Sequence, residues 1–258
     1  MVSLSIPLQD LQAFMLVLAR VAAILFAIPF LDSRSVPAVF KAGLAVAASI
    51  MVLGQARVEL NSFPDSVLGV FLAVAAEVVF GLAIGFMVKL IFAGFQLAGQ
   101  LAGFQMGFAI ANVVDPASSL QIPILAQFIN LFAMLIFLAT NMHYWFFKAL
   151  VDSFRIVAPM QLEFQQGLVQ PILRAAAGMF IIALKVGAPV IVALILTHVA
   201  LGLMARTVPQ MQVFIVAMPL QIVVGIVFLG LSLPFWAAYM KDLFSQIGQT
   251  MLQMLRLF

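Results

Sequence analysis

Apolar residues along this chain come in long runs rather than in the short alternations of a soluble protein. They fall at about Leu11–Leu31, Ala42–Leu53, Ser66–Ala98, Pro123–Phe147, Pro171–Leu203 and Met211–Tyr239. A helix needs about 20 apolar residues to cross a bilayer. The second run is therefore short for a span unless its flanks contribute, and the third and fifth are too long for one perpendicular helix. Pro29, Pro37, Pro189, Pro219 and Pro234 lie within or at the edges of these runs. Each removes a backbone donor, which predicts a kink or an end at each site. Carbonyls freed in hydrocarbon must be satisfied by protein or by a water-filled cavity, so the interrupted helices are expected to be buried in an assembly.

Composition fixes the class. Hydrophobic residues make up 66% of the 258 positions and charged ones 8%, with a mean hydropathy of +1.23. Soluble domains lie far from these values, because a water-facing surface needs many more charged side chains. The chain reads as one integral membrane unit spanning 1–258. Its N-terminus lacks the basic stretch and small-residue cleavage site of a removable signal peptide. If all six runs cross and both termini are cytoplasmic, Arg57, Lys148, Arg155, Arg174, Lys241 and Arg256 lie inside, against Arg34, Lys41 and Arg206 outside. The positive-inside rule favours that orientation.

The net charge of +3 does not point to nucleic acid, since the Lys and Arg residues are scattered singly with no basic stripe. Without cysteine the chain has no disulfide, no thiolate metal site and no Cys nucleophile. It also has no HExxH, GxSxG or P-loop, and only two histidines, His143 and His198. Neither catalysis nor a bound cofactor or metal is expected.

Small residues recur at helical spacing in two places. Gly81 and Gly85 form one small-xxx-small step, and Gly99, Gly103 and Gly107 form two more. Such steps place small residues on one face, where a neighbouring backbone can approach. For Gly81 and Gly85 this packing role suffices. The second group is accompanied by the uncharged amides Gln96, Gln100 and Gln105, and its helical pattern runs on to about Asn112. Asp115-Pro116 then forces a turn, because Pro116 fixes its own φ and pushes Asp115 out of the helical region. The segment reads either as a surface turn or as a loop dipping into a lumen.

Several ionisable residues stand inside apolar runs, where a charge is costly unless it faces protein or water. Arg20 is central to the first run and should face protein. Glu77 and Lys89 cannot pair on a straight helix, being about 18 Å apart along it. Lys185 and His198 fail the same test at about 20 Å. Each is expected to meet a polar group on another helix or another chain, and Arg206 joins them as a buried polar partner. His198 suits a hydrogen-bonded packing role or, less simply, a proton relay. A secondary transporter is the competing class, since interrupted apolar segments mark its substrate site. The glycine ladder, however, has no counterpart in the last three runs.

Residues across nearly the whole chain resemble the FliR family of flagellar type III export-gate proteins and their injectisome counterparts. The likeness rests on "ARVAAILFAIPFLDSRSVPAVFKAGLA", on Glu77 with "GLAIGF", on "AGQLAGFQMGF" followed by "VVDPASS", on "NMHYWFFKALVDSFRIVAP" and on "GAPVIVALILTHVALGLMARTVPQMQVFIVAMPLQIVVGI". It departs at Met142, where the family pattern has a glycine before the histidine. The resemblance implies an all-α polytopic membrane protein with long, kinked helices arranged as hairpins. Residues 1–170 would be FliP-like and 171–258 a FliQ-like hairpin. It implies a non-enzymatic subunit of the bacterial inner membrane and flagellar basal body. Its partners would be FliP and FliQ homologues in a helical hetero-oligomer, an FlhB-like subunit outside it, membrane lipid, and the unfolded flagellar proteins being exported. It further implies that the loop at about 107–121 plugs the export channel. Met106, Gly107, Phe108, Ile110, Asn112, Asp115 and Pro116 would then form the plug, with apolar bulk to seal it, small residues to let it move and little charge to draw in water.

Overall fold

The computed structural model describes residues 8–32, 36–54, 64, 66–108, 124–160, 169–207 and 213–255. Among them the chain is all α-helical, with no strand. In chain order the helices are α1 (Leu8–Phe26), α2 (Pro29–Asp32), α3 (Ala38–Leu53), α4 (Val67–Gln105), α5 (Ile124–Ala139), α6 (Met142–Ile156), α7 (Val169–Thr207) and α8 (Val213–Leu255). Arg34, Arg57 and Arg256, which entered the orientation argument, lie outside the described residues.

Three of these helices are long and apolar enough to cross a membrane, namely α4, α7 and α8, and α5 with α6 makes a fourth if that bent pair counts as one span. Among the described residues, then, fewer helices meet the length and apolarity of a span than the six apolar runs suggest. The first run is split where α1 ends at Phe26, and α3 has 16 residues, about 24 Å of helix against a hydrocarbon layer of about 30 Å. The run predicted from Pro123 to Phe147 is split as well. Asn141 adopts a left-handed backbone with φ 55°, and the helix axis turns by 68° between α5 and α6.

Proline effects divide by position. Pro29 opens α2 and Pro37 precedes α3, consistent with a residue whose missing N–H costs nothing at a helix start. Pro189 lies inside α7, and Pro219 and Pro234 inside α8, and none of them ends its helix. In an apolar setting a helix with one missing hydrogen bond still satisfies far more backbone than any alternative. Near Pro189 the Trp236 indole donates to the Val186 carbonyl at 2.8 Å, one residue from the Lys185 carbonyl that the proline leaves without its helical donor.

The chain divides into two compact units, 1–90 with 138–175 and 244–258, and 91–137 with 176–243. In the first, α1 packs on α3 and buries Leu16, Val17, Val21 and Ile24. The core of the second is aromatic. Phe92 meets Phe95 and Phe137 edge to face, with ring centroids 5.9 and 5.8 Å apart.

Candidate functional site

Two places in the chain concentrate polar or constrained residues. The first, in the unit containing α1, is a buried ion pair. Arg20 on α1 and Glu77 on α4 are both fully buried, and the Arg20 Nε donates to Glu77 Oε2. Arg20 Nη1 donates to the carbonyls of Ser153 at 3.1 Å and Val157 at 2.7 Å. Those oxygens lie at the C-terminal end of α6, the negative end of its dipole, and the Ser153 carbonyl also accepts the Val157 N–H at 3.0 Å. Glu77 Oε1 accepts the Met160 backbone N–H at 3.1 Å, and Met160 itself has φ 68°. The guanidinium carbon lies 4.5 Å from the Phe80 ring centroid and 4.6 Å from that of Phe154. Rings on both flanks attract the cation and keep water away. One Arg20 side chain therefore joins α1, α4 and the end of α6.

Close backbone approach in the same unit follows from Gly81 and Gly85 on α4. A Cβ on Gly85 would lie 1.8 Å from the Ala27 Cβ, and one on Gly81 would lie 2.6 Å from the Ala23 Cβ. Lys89, a further turn along, is half-buried and lines an open groove of about 400 Å³ with Ala27, Val79, Leu82, Ala83 and Phe86.

The second place is the end of α4, in the other unit. The helix stops at Gln105, not near Asn112. Gly107 has φ +86°, its N–H donates to the Phe104 carbonyl, and the Phe108 N–H donates to the Gly103 carbonyl. This pair of bonds around a left-handed residue is the Schellman stop, in which glycine carries no Cβ penalty. Gly107 is therefore the residue that ends the helix and not a third step of its packing face. Gly99 does form such a face, since a Cβ there would lie 2.4 Å from the Ala126 Cα of α5. At Gly103 the nearest atom to an added Cβ is 3.7 Å away, which is ordinary contact.

Met106, fully buried, fits a notch at Gly225 of α8, where a Cβ would lie 2.6 Å from its Sδ and Cε. Beside it, Gln221 is buried and Gln105 Oε1 has no hydrogen-bond partner among the described residues. Phe108 is half-buried. Ile110, Asn112, Asp115 and Pro116 lie outside the described residues.

Other expected polar partners are placed differently. Lys185, His198 and Arg206 are exposed on α7, so the burial expected of them is not supplied by the described residues of this chain. Lys185 has one aromatic neighbour, with its Nζ 5.6 Å from the Tyr239 ring centroid. The sequence left unmarked the residues that complete the two sites, Phe80, Phe154 and the Ser153, Val157 and Met160 backbone around Arg20, and Gly225 opposite Met106. Only Gly225 carried a signal, as a lone glycine inside an apolar helix.

Long apolar helices, a fully buried ion pair and a glycine-ended helix define an all-α polytopic membrane protein with no recognisable catalytic constellation among its described residues. Residues 11–247 match the sequence profile of the family described as bacterial export proteins, family 1, and the chain belongs to that family. It is 34% identical to the flagellar biosynthetic protein FliR of Escherichia coli K12 over 231 residues, covering 89% of this chain and 87% of the relative. The protein of that name from Bacillus subtilis is 34% identical over 248 residues, 95% of each chain. That from Caulobacter vibrioides is 26% identical over 232 residues, covering 90% of this chain and 92% of the relative. The chain is a membrane component of flagellar export, and its relatives are named as biosynthetic proteins, not enzymes.

Proposed function

We propose that this protein is a non-enzymatic subunit of the flagellar export gate in the bacterial inner membrane. In this reading it closes a channel with FliP and FliQ homologues, with an FlhB-like subunit outside, and unfolded flagellar proteins pass through that channel. The loop at about 107–121 is its plug.

Membership of the export family over residues 11–247 carries the reading. Two features support its details. Large apolar side chains such as Phe71, Leu184 and Leu231 are exposed along the long helices, which suits a chain whose surface is completed by other subunits. At the loop root, Gly107 stops α4 abruptly and Met106 is seated at Gly225, which gives the following segment a fixed start.

Deleting residues 109–118 tests the plug. Cells carrying the assembled complex without that stretch are expected to leak small ions; unchanged permeability of an intact complex removes the plug assignment. A purified chain stabilised in isolation by a small solute would instead identify a transporter.

A further inference from the structure

The end of α4 is held differently from its middle. At Gly94 an added Cβ would lie 2.8 Å from the Met179 carbonyl oxygen of α7, and at Gly99 it would lie 2.4 Å from the Ala126 Cα of α5, so backbone meets backbone and neither neighbour can yield. One turn later the approach opens to 3.7 Å at Gly103. Near the helix end Leu101 and Phe104 are exposed, and the large side chain that is fully buried is Met106. Its Cγ, Sδ and Cε lie 2.7, 2.6 and 2.6 Å from where a Cβ on Gly225 of α8 would stand. Gln221, four residues earlier and on the same face of α8, is buried, and its Oε1 is 3.9 Å from the position of a Cβ on Gly107. Consecutive residues at the end of α4 thus meet successive turns of α8.

We propose that Met106 and Gly225 form a releasable latch. Seated, it sets the resting position of the root of the plug; released, it frees the end of α4 to move when a substrate passes. The inference deepens the reading of the loop at about 107–121 as a channel plug and rests on it. The chemistry of the contact suits release. A thioether in a glycine notch is held by dispersion, without charge or a strong hydrogen bond, and its rotatable bonds let it leave while both backbones stay in place. The neighbouring Gln105 keeps its Oε1 buried with no hydrogen-bond partner among the described residues. That cost opposes the seated state, and it is removed when the turn lifts and water reaches the amide. Gly107, at φ +86°, changes its backbone angles without a Cβ penalty and serves as the pivot.

The test uses the full chain assembled with its natural companions. Met106→Cys with Gly225→Cys is bridged by a short bis-methanethiosulfonate, the chain having no other thiol. Bridging is expected to lower export at least about tenfold, and reduction to restore it to within about twofold of the untreated variant, as for a lid that must open in each cycle. Each single-cysteine variant, treated alike, keeps its export. A bridged complex that exports normally, or a pair that does not bridge in the assembled complex, overturns the latch. Gly225→Ala gives a second reading without a reagent. Its Cβ expels Met106 from the notch, and the resting complex is expected to leak small ions at least about tenfold more. Gly230→Ala on the same helix, where an added Cβ meets nothing within 4 Å, stays sealed. Adding Met106→Ala to Gly225→Ala raises the leak no further, because the contact is already lost. Where Gly225→Ala fails to assemble, Met106→Ala, which only shortens a side chain, is read in its place. A sealed variant or an additive further leak overturns the proposal. If the complex lacking residues 109–118 leaks while Gly225→Ala stays sealed, the plug stands and the latch alone falls. A sealed deletion complex removes the plug reading, and the latch falls with it.

Discussion

Arg20 is the residue on which the first unit converges, and its energetics have a definite sign. Removing one partner of a buried ion pair leaves the other charge without water or counter-ion, at a cost of about 3–5 kcal/mol. Arg20→Met and Glu77→Gln are each expected to lower the thermal midpoint and the monodisperse yield in mild detergent far more than Arg174→Ala, which removes an exposed charge bonded to Gln170 at 3.4 Å. The double variant Arg20→Met with Glu77→Leu should be much less damaged than the sum of its parts, because no lone charge is then left. A double-mutant cycle measures this, and additive losses would show that the pair is not coupled. Arg20→Lys should fail to rescue, since one ammonium cannot serve Glu77 together with the Ser153 and Val157 carbonyls in the planar geometry seen for Arg20. At Gly107, φ +86° makes Gly107→Ala unfavourable by about 1–2 kcal/mol, and Gly107→Asn by less. Hydrogen exchange of the last turn of α4 reads that loss, and equal protection in the Ala variant would count against the stop.

At the scale of elements, glycines with the same sequence spacing have different jobs. Gly99→Ala drives a Cβ to within 2.4 Å of the α5 backbone, whereas Gly103→Ala meets nothing closer than 3.7 Å. Ala also favours a helix interior over Gly by up to about 1 kcal/mol. Gly103→Ala is thus expected to be neutral or stabilising in thermal unfolding and Gly99→Ala destabilising; equal midpoints would refute the close approach of α4 and α5. Spacing alone could not separate the two, because the difference lies in how far Ala126 and Leu125 stand from the helix. The same limit governed the rest of the fold. Hydropathy located the runs that became α4, α7 and α8; the apolar run of the first ended at Ala98 and its helical pattern was followed to about Asn112, whereas the helix ends between them at Gln105. Prolines suggested a kink or an end at Pro189, Pro219 and Pro234, and there the helix continues. The break at Asn141 has neither Gly nor Pro in "NMHYW" to announce it. Arg20 and Glu77 were each legible as charges needing protein, yet their pairing joins residues 57 positions apart, and no local pattern encodes it.

For the whole molecule, helix length sets a demand that lipid alone cannot meet. With 39 residues, α4 is about 58 Å long, nearly twice a hydrocarbon layer of about 30 Å. Its two ends carry exposed apolar side chains, with Leu68 at 68% and Phe104 at 72%. These two positions are about 54 Å apart along the axis, and fitting both into hydrocarbon needs a tilt of about 56°, beyond the range of about 0–40° seen for membrane helices. The chain alone in lipid must therefore expose at least one of them to water, while subunits packed around it can cover both. The absence of cysteine makes this measurable, because a single introduced thiol is the only one present. Leu68→Cys and Phe104→Cys variants are expected to differ by setting. With the chain alone in nanodiscs, at least one reacts with a membrane-impermeant maleimide. In the complex purified with its companions, both are protected. Protection of both in the solitary chain would mean that it shields its own helix ends and needs no neighbours. Rapid labelling of both in the complex would place the covering subunits elsewhere.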